Sequence, residues 1–189
     1  MNRTQLEHII RAASEISGDS EIVVIGSQAI HAQHMKLPTI AFQSLEANVY
    51  HKNHPERADD IDGAIGELSP FHHTHGYYAH GVAQETAVLP ERWQQRLIRL
   101  ANPNTGGATG LCLDAHDLVL SKYAAGREKD LAFNRALAQH GCVARKKLLR
   151  LLKSMPVDDQ MKTLIAERIK ADFTAARQSR PTTPKDPER

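Results

Sequence analysis

The stretch Ile22–Ile30, IVVIGSQAI, constrains the chain more than any other. A short apolar run leads the backbone into Gly26-Ser27 and then straight into a helical pattern. A strand, a small-residue turn and a helix N-terminus leave several backbone N–H groups without chain partners, and such groups suit a phosphate. A second stretch, Ser44–Tyr50 (SLEANVY), alternates with period two. Leu45, Ala47 and Val49 then share one face, and Glu46 and Asn48 share the other. Two oxygen-bearing side chains on one strand face are placed to share a hard cation such as Mg²⁺. Each motif alone is common packing; their order and spacing make the pair informative.

Around these stretches the chain divides into a mixed α/β first part and a helical second part. Thr4 with Glu7 reads as a capping box, followed by Leu6, Ile9, Ile10, Ala13 and Ile16 at helical spacing and a stop at Gly18. Strands are expected at 21–25, 41–50, 82–89 and 96–101, and helices at 27–33 and 56–65. The segment SPFHHTHGYYAHG (69–81) is rich in aromatic and histidine side chains, and NPNTGGATG (102–110) reads as a loop. Asp114 and Asp117 precede an apolar run that starts a helical region reaching about residue 140, with Gly126 as a break. Two more helices are expected at 143–155 and 157–177. The expected division is an α/β domain over 1–112, a helical part over 113–177 and a disordered tail over 178–189.

Three constellations carry chemistry. Besides Gly26-Ser27 and Glu46/Asn48 there is DLVLSKYAAGREKD, Asp117–Asp130. On a straight helix Lys122 and Lys129 lie about 20° apart and Lys122 and Asp130 about 80° apart, while Arg127 joins them only if the chain bends near Gly126. Cations so placed neutralise a triphosphate; the plainer reading is a solvated helix face with local pairing. A rival site is His72, His73, His75 and His80, whose imidazoles suit zinc or another transition metal, although no cysteine or HExxH spacing accompanies them. The plainer reading is a loop packed around Phe71, Tyr77 and Tyr78. Asp59, Asp60 and Asp62 read as a hydrated helix face.

Composition narrows the classes. Net charge is +2 over 189 residues, so the overall balance calls for no particular partner. Cys112 and Cys142, thirty residues apart, form neither a disulfide framework nor a zinc motif. The N-terminal MNRTQLEHIIRAA lacks a signal-peptide core and no run is long enough to span a membrane, so the expected location is cytoplasmic.

IGSQAI, the SLEANVY strand, IGELSPFHHTHGYYAHGV, VLPERWQQRL and LCLDAHDLVLSKYAAGREKD, in that order over residues 5–142, resemble a bacterial nucleotidyltransferase-like family of unknown precise function. That family is similar in turn to nucleotidyltransferases of abortive-infection and toxin–antitoxin systems. The resemblance implies an α+β fold of the minimal polymerase-β-like type with a C-terminal helical part. It also implies transfer of a nucleotidyl group from an NTP to an acceptor with Mg²⁺ or Mn²⁺. Under it, Gly26 and Ser27 hold the phosphates, Glu46 and Asn48 stand at the metal-binding carboxylate positions, and Lys122 meets the triphosphate. Arg127, Lys129 and Asp130 complete the pocket, and Glu85 is the candidate third metal carboxylate. An RNA or protein acceptor and an antitoxin partner are further implications.

The departure is Asn48, where relatives carry an acid. Its amide oxygen can ligate a cation, but it brings no charge and cannot act as a base. Two alternatives therefore stand beside transfer: a catalytically inactive binding or regulatory protein on the same fold, and a histidine-rich metal-binding protein. The helix expected over Ala144–Lys153 (ARKKLLRLLK) has a basic face suited to RNA or an acidic partner, and reads more plainly as an ordinary amphipathic helix.

Overall fold

The computed structural model describes residues 1–33 and 36–178. Helix α1 (Arg3–Ser17) is capped by Asn2, whose side chain accepts from the Gln5 backbone while the Gln5 side chain bonds back. The expected Thr4/Glu7 box is corrected accordingly. Asn caps at least as well as Thr, and it leaves Glu7 free for a buried role. Glu7 accepts from Asn102 Nδ2 at 2.7 Å and Asn104 Nδ2 at 2.8 Å, tying α1 to the turn at Pro103–Thr105.

Five strands form one mixed sheet: β1 (Glu21–Val24), β2 (Glu46–His51), β3 (Tyr78–Gly81), β4 (Ile98–Leu100) and β5 (Thr109–Cys112), in the order β3-β2-β1-β5-β4. β1 runs antiparallel to β2 and parallel to β5; β2 and β3 are parallel, and β4 and β5 antiparallel. α1 covers one face with Leu6, Ile9, Ile10 and Ala13, all fully buried. Gly110 on β5 permits this approach, since a Cβ there would collide with the Ile10 side chain.

Several expected elements change. The strand at 41–50 shortens to β2, because Thr39–Phe42 forms a 3₁₀ turn after Pro38. The helix at 27–33 is a 3₁₀ segment, Ser27–Ala32. The strand at 82–89 does not form. After Val82 N–H has bonded to Val49 O, Gln84–Thr86 makes a 3₁₀ turn that carries the chain away from β2, whose last residue is His51. The segment at 102–110 hides the start of a real strand, β5, and 70–75 is helix α3 (Pro70–His75) rather than loop. α2 (Ala58–Ile65) follows the expected position, with Asp60 paired to Arg57 and Asp62 accepting from Gly81 N–H.

The C-terminal half is helical: α4 (Ala115–Ala125), α5 (Glu128–Gln139), α6 (Arg145–Leu152) and α7 (Asp159–Gln178). Gly126, with φ of 67°, ends α4, so the helical region splits into two helices at the break its sequence marks. The Tyr123 hydroxyl donates to Asp172 Oδ2 at 2.8 Å in the core, and Arg168 donates to Tyr123 O at 2.6 Å, clamping α7 to α4. Gln178 belongs to α7; the rest of the expected tail lies outside the described residues. Both cysteines are buried and unpaired, and burial pushes the Cys112 thiol up to about 12. Among the described residues, no helix is long and apolar enough to cross a membrane.

Candidate active site

β1 and β2 continue one bond past the ladder, from Ile25 N–H to Asn48 O at 3.0 Å, and this sets Gly26 beside Asn48. The contact is so close that a Cβ on Gly26 would sit inside the Asn48 amide. Gly26 is therefore required by packing, since its extended backbone (φ −87°) is one any residue adopts. The backbone then enters the 3₁₀ segment, whose first N–H groups have no partner within the turn itself.

This Gly26-Ser27 turn opens onto a cavity of about 540 Å³. Ser44, Glu46 and Asn48 line it from the β2 side, Lys122 from α4, and Arg127, Lys129, Asp130 and Phe133 from the start of α5. Residues separated by more than a hundred positions thus share one cleft. The bend at Gly126 brings Arg127 to it. Lys122 Nζ donates to Asp130 Oδ1 at 2.5 Å and lies 4.9 Å from the centre of the Phe133 ring. Arg127 and Lys129 are exposed, and among the described residues neither is in an ion pair.

On the strand side, Asn48 Nδ2 donates to Glu46 Oε1 at 2.8 Å. His80 sits opposite Asn48 in the β2–β3 register, with its Nδ1 3.4 Å from Glu46 Oε1. Tyr78 donates to the other Glu46 oxygen at 3.5 Å; burial, then the Glu46 charge, raises the Tyr78 pKa. His80 thus belongs beside Glu46 and Asn48. The alternation of Tyr78 and His80 around buried Ala79 is the period-two signal that could have placed it there.

The remaining candidates do not converge. Glu85 sits in the Gln84–Thr86 turn, outside the lining of this cavity. Its charge acts on the Tyr50 hydroxyl, which burial above all, and Glu85 second, pushes up to about 12. The four histidines serve separate contacts, although the rings of His72 and His73 stack 6.1 Å apart. His72 Nδ1 accepts from Leu68 N–H, His75 stands edge-on to His8, and His80 is on β3. Among the described residues, no group of three His, Cys, Asp or Glu side chains is arranged to hold a metal.

A Mg²⁺ ion is ordinarily held by one or two carboxylates together with substrate phosphates. Here Glu46 offers one carboxylate, the Asn48 oxygen faces Gly26, and Asp130 is engaged by Lys122. This donor set fits a cation that arrives with a nucleotide's phosphates. It does not fit one held by protein alone.

The helix that delivers Lys122 is fixed at its other end. Asp114 caps α4 by accepting from His116 N–H and also accepts from Lys147 Nζ at 3.0 Å. Burial works to raise the Asp114 pKa, but the bonds from His116 and Lys147 outweigh it and hold the carboxyl well below the usual range. Gln33 bonds both Asp114 Oδ2 and Ala115 N–H, linking the residue after the 3₁₀ segment to the first turn of α4. Asp117, fully buried, takes a two-pronged contact from Arg96 at 2.8 Å on each oxygen. Burial nevertheless raises the Asp117 pKa, which Arg96 offsets only in part.

No curated protein and no solved structure matches the chain. One family does, over residues 4–178, and its span takes in every element that builds the cleft. With the Gly26-Ser27 turn, the Glu46 strand and the Lys122 helix joined in a single cavity inside that span, the chain belongs to the family described as nucleotidyltransferase of unknown function (DUF6036).

Proposed function

We propose that the protein binds an NTP in the 540 Å³ cleft and transfers its nucleotidyl group to a hydroxyl of an acceptor. The observation that carries this reading is the meeting in one cavity of the Gly26-Ser27 turn, Glu46 and the cations Lys122, Arg127 and Lys129. Backbone N–H groups after Gly26 and the three cations take the triphosphate, and positioning with charge neutralisation is most of what such a transfer requires. Glu46, with Asn48 beside it, would hold a Mg²⁺ or Mn²⁺ ion brought by the phosphates, which would supply neutralisation of the charge that develops on them. The acceptor oxygen forms a bond to the α-phosphorus, the bond to the bridging oxygen breaks, and pyrophosphate leaves. Lys122 exchanges Asp130 for phosphate, which frees the Asp130 carboxylate to take the acceptor's proton.

The resemblance supports a place in a toxin–antitoxin or defence system, with an RNA or protein acceptor and an antitoxin as counterpart. A second reading has a specific basis. Asn48 stands at a carboxylate position and donates to the one remaining carboxylate, as expected of an inactive protein that keeps the nucleotide pocket.

Calorimetric titration with each NTP, with and without Mg²⁺, tests the first half of the proposal. Metal-assisted binding that Lys122→Ala weakens about 10- to 100-fold supports it. Absence of binding to every NTP overturns it. Binding without pyrophosphate release, across RNA and protein acceptors, favours the inactive reading.

A further inference from the structure

The chain's small net charge conceals a strong asymmetry. Between Asp130 and Asp158 there is no acidic residue, while Arg135, Arg145, Lys146, Lys147, Arg150 and Lys153 all fall in that interval. These six charges exceed the chain's total of +2, so the remainder is net −4. Five of the six lie on or just after α6. That helix buries Leu148, Leu151 and Leu152, which fixes its inner face and turns the basic residues outward.

Among the described residues, only one of the five, Lys147, is in an ion pair, with Asp114. Arg145, Lys146, Arg150 and Lys153 are exposed and, among the described residues, have no acidic partner. On an α-helix Lys146, Arg150 and Lys153 fall within about 60° of arc and step along the axis by about 6 Å and then 4.5 Å. Like charges at this spacing repel one another and weaken the isolated helix. A row of anions removes that penalty.

We propose that the outer face of α6 binds the phosphate backbone of RNA. A protein partner fits this face less well, because protein interfaces centre on apolar and aromatic side chains. The exposed large apolar side chains, Phe42, Leu45, Leu68, Val88 and Leu164, all lie on other elements. Duplex DNA fits less well too. Reading it takes a helix that projects into the major groove, whereas α6 lies flush against α4 and α7 through its buried leucines. A flat basic face without exposed aromatics suits backbone contact with single-stranded or A-form RNA, tolerant of sequence. The inference concerns a surface outside the nucleotide cleft and does not depend on transfer taking place.

The test is fluorescence anisotropy with a labelled oligouridylate, repeated across a salt series, with duplex RNA and duplex DNA as further arms. The intact chain is compared with Lys146→Glu/Arg150→Glu/Lys153→Glu on α6 and with Lys162→Glu/Lys170→Glu/Arg177→Glu on α7, an equal change of charge. The α6 variant is expected to lose about 10-fold or more in affinity. Its log–log salt slope should be shallower by about 2, close to 0.7 per lost contact. The α7 variant should retain most of the binding. Equal losses in both variants would reduce the effect to net charge and overturn the proposal, as would duplex DNA bound more tightly than either RNA. Lys122→Ala, which acts in the cleft, should leave RNA binding intact, and RNA binding by an intact chain that takes no NTP counts only against the transfer reading. Unchanged thermal melting and unchanged NTP affinity in the α6 variant separate a lost surface from a lost fold.

Discussion

Lys122 Nζ donates to Asp130 Oδ1 across the break between α4 and α5, with both side chains largely shielded from solvent. A cation already neutralised by a neighbour must give up that neighbour to bind phosphate. Asp130→Asn is therefore expected to tighten NTP binding about 5-fold, roughly 1 kcal/mol for one removed like charge, while abolishing transfer. Isothermal titration alongside a pyrophosphate-release assay reads both effects. Weaker NTP binding in this variant would mean that Asp130 serves to hold Lys122 in position for the nucleotide.

Asn48→Asp restores a second carboxylate beside Glu46. Divalent affinity should rise about 10-fold or more and become measurable without nucleotide, because two carboxylates no longer need the phosphates to complete the charge. Mn²⁺ titration followed by electron paramagnetic resonance measures it. An unchanged affinity would exclude Glu46 from the cation site.

Arg96→Met strands the buried carboxylate of Asp117. The loss of stability should be about 3–5 kcal/mol at neutral pH. Burial raises the Asp117 pKa in the fold, and removing Arg96 takes away the main influence opposing that rise. A folded-state pKa above the unfolded one means that acid favours the fold, so the deficit should shrink between neutrality and about pH 5. Urea denaturation at several pH values checks the sign.

Asp114 behaves in the opposite way. Despite its burial, the bonds from His116 and Lys147 depress its pKa, so its contribution is complete above the unfolded value of about 3.9 and is lost as pH falls below it. Asp114→Asn should cost about 2–3 kcal/mol at pH 7 and flatten the acid limb of the stability profile. Equal acid slopes in the two proteins would place the acid sensitivity elsewhere.

What was legible in the sequence followed from period and order. β1, β2, the Gly26-Ser27 turn and the split at Gly126 needed only local pattern, and Glu46 and Asn48 share a face as alternation requires. β5 was hidden because Thr109-Gly110 looks like loop; Gly110 is there to admit Ile10 of α1, a contact a hundred residues away in the chain. The strand expected at 82–89 failed for the converse reason. Val82, Thr86 and Val88 favour strand, but the chain leaves β2 after Val82 and turns at Gln84–Thr86. Sequence proximity groups His80 with His72, His73 and His75, but proximity says nothing about register, and register is what brings it to Glu46.

Asn134, buried on α5, donates to Val119 O on α4 at 3.0 Å and so fixes how α5 is rotated about its own axis. Arg127, Lys129 and Asp130 inherit their aim from that bond, one helical turn or more away. A residue inserted between Arg127 and Asp130 would turn Arg127 by about 100° relative to Asp130 and Asn134, or push out a bulge that displaces it. The cleft can therefore accept drift in amino-acid identity around its rim far more readily than drift in length. Among relatives, the eight-residue interval from Lys122 to Asp130 is expected to be free of insertions and deletions even where the residues between them differ.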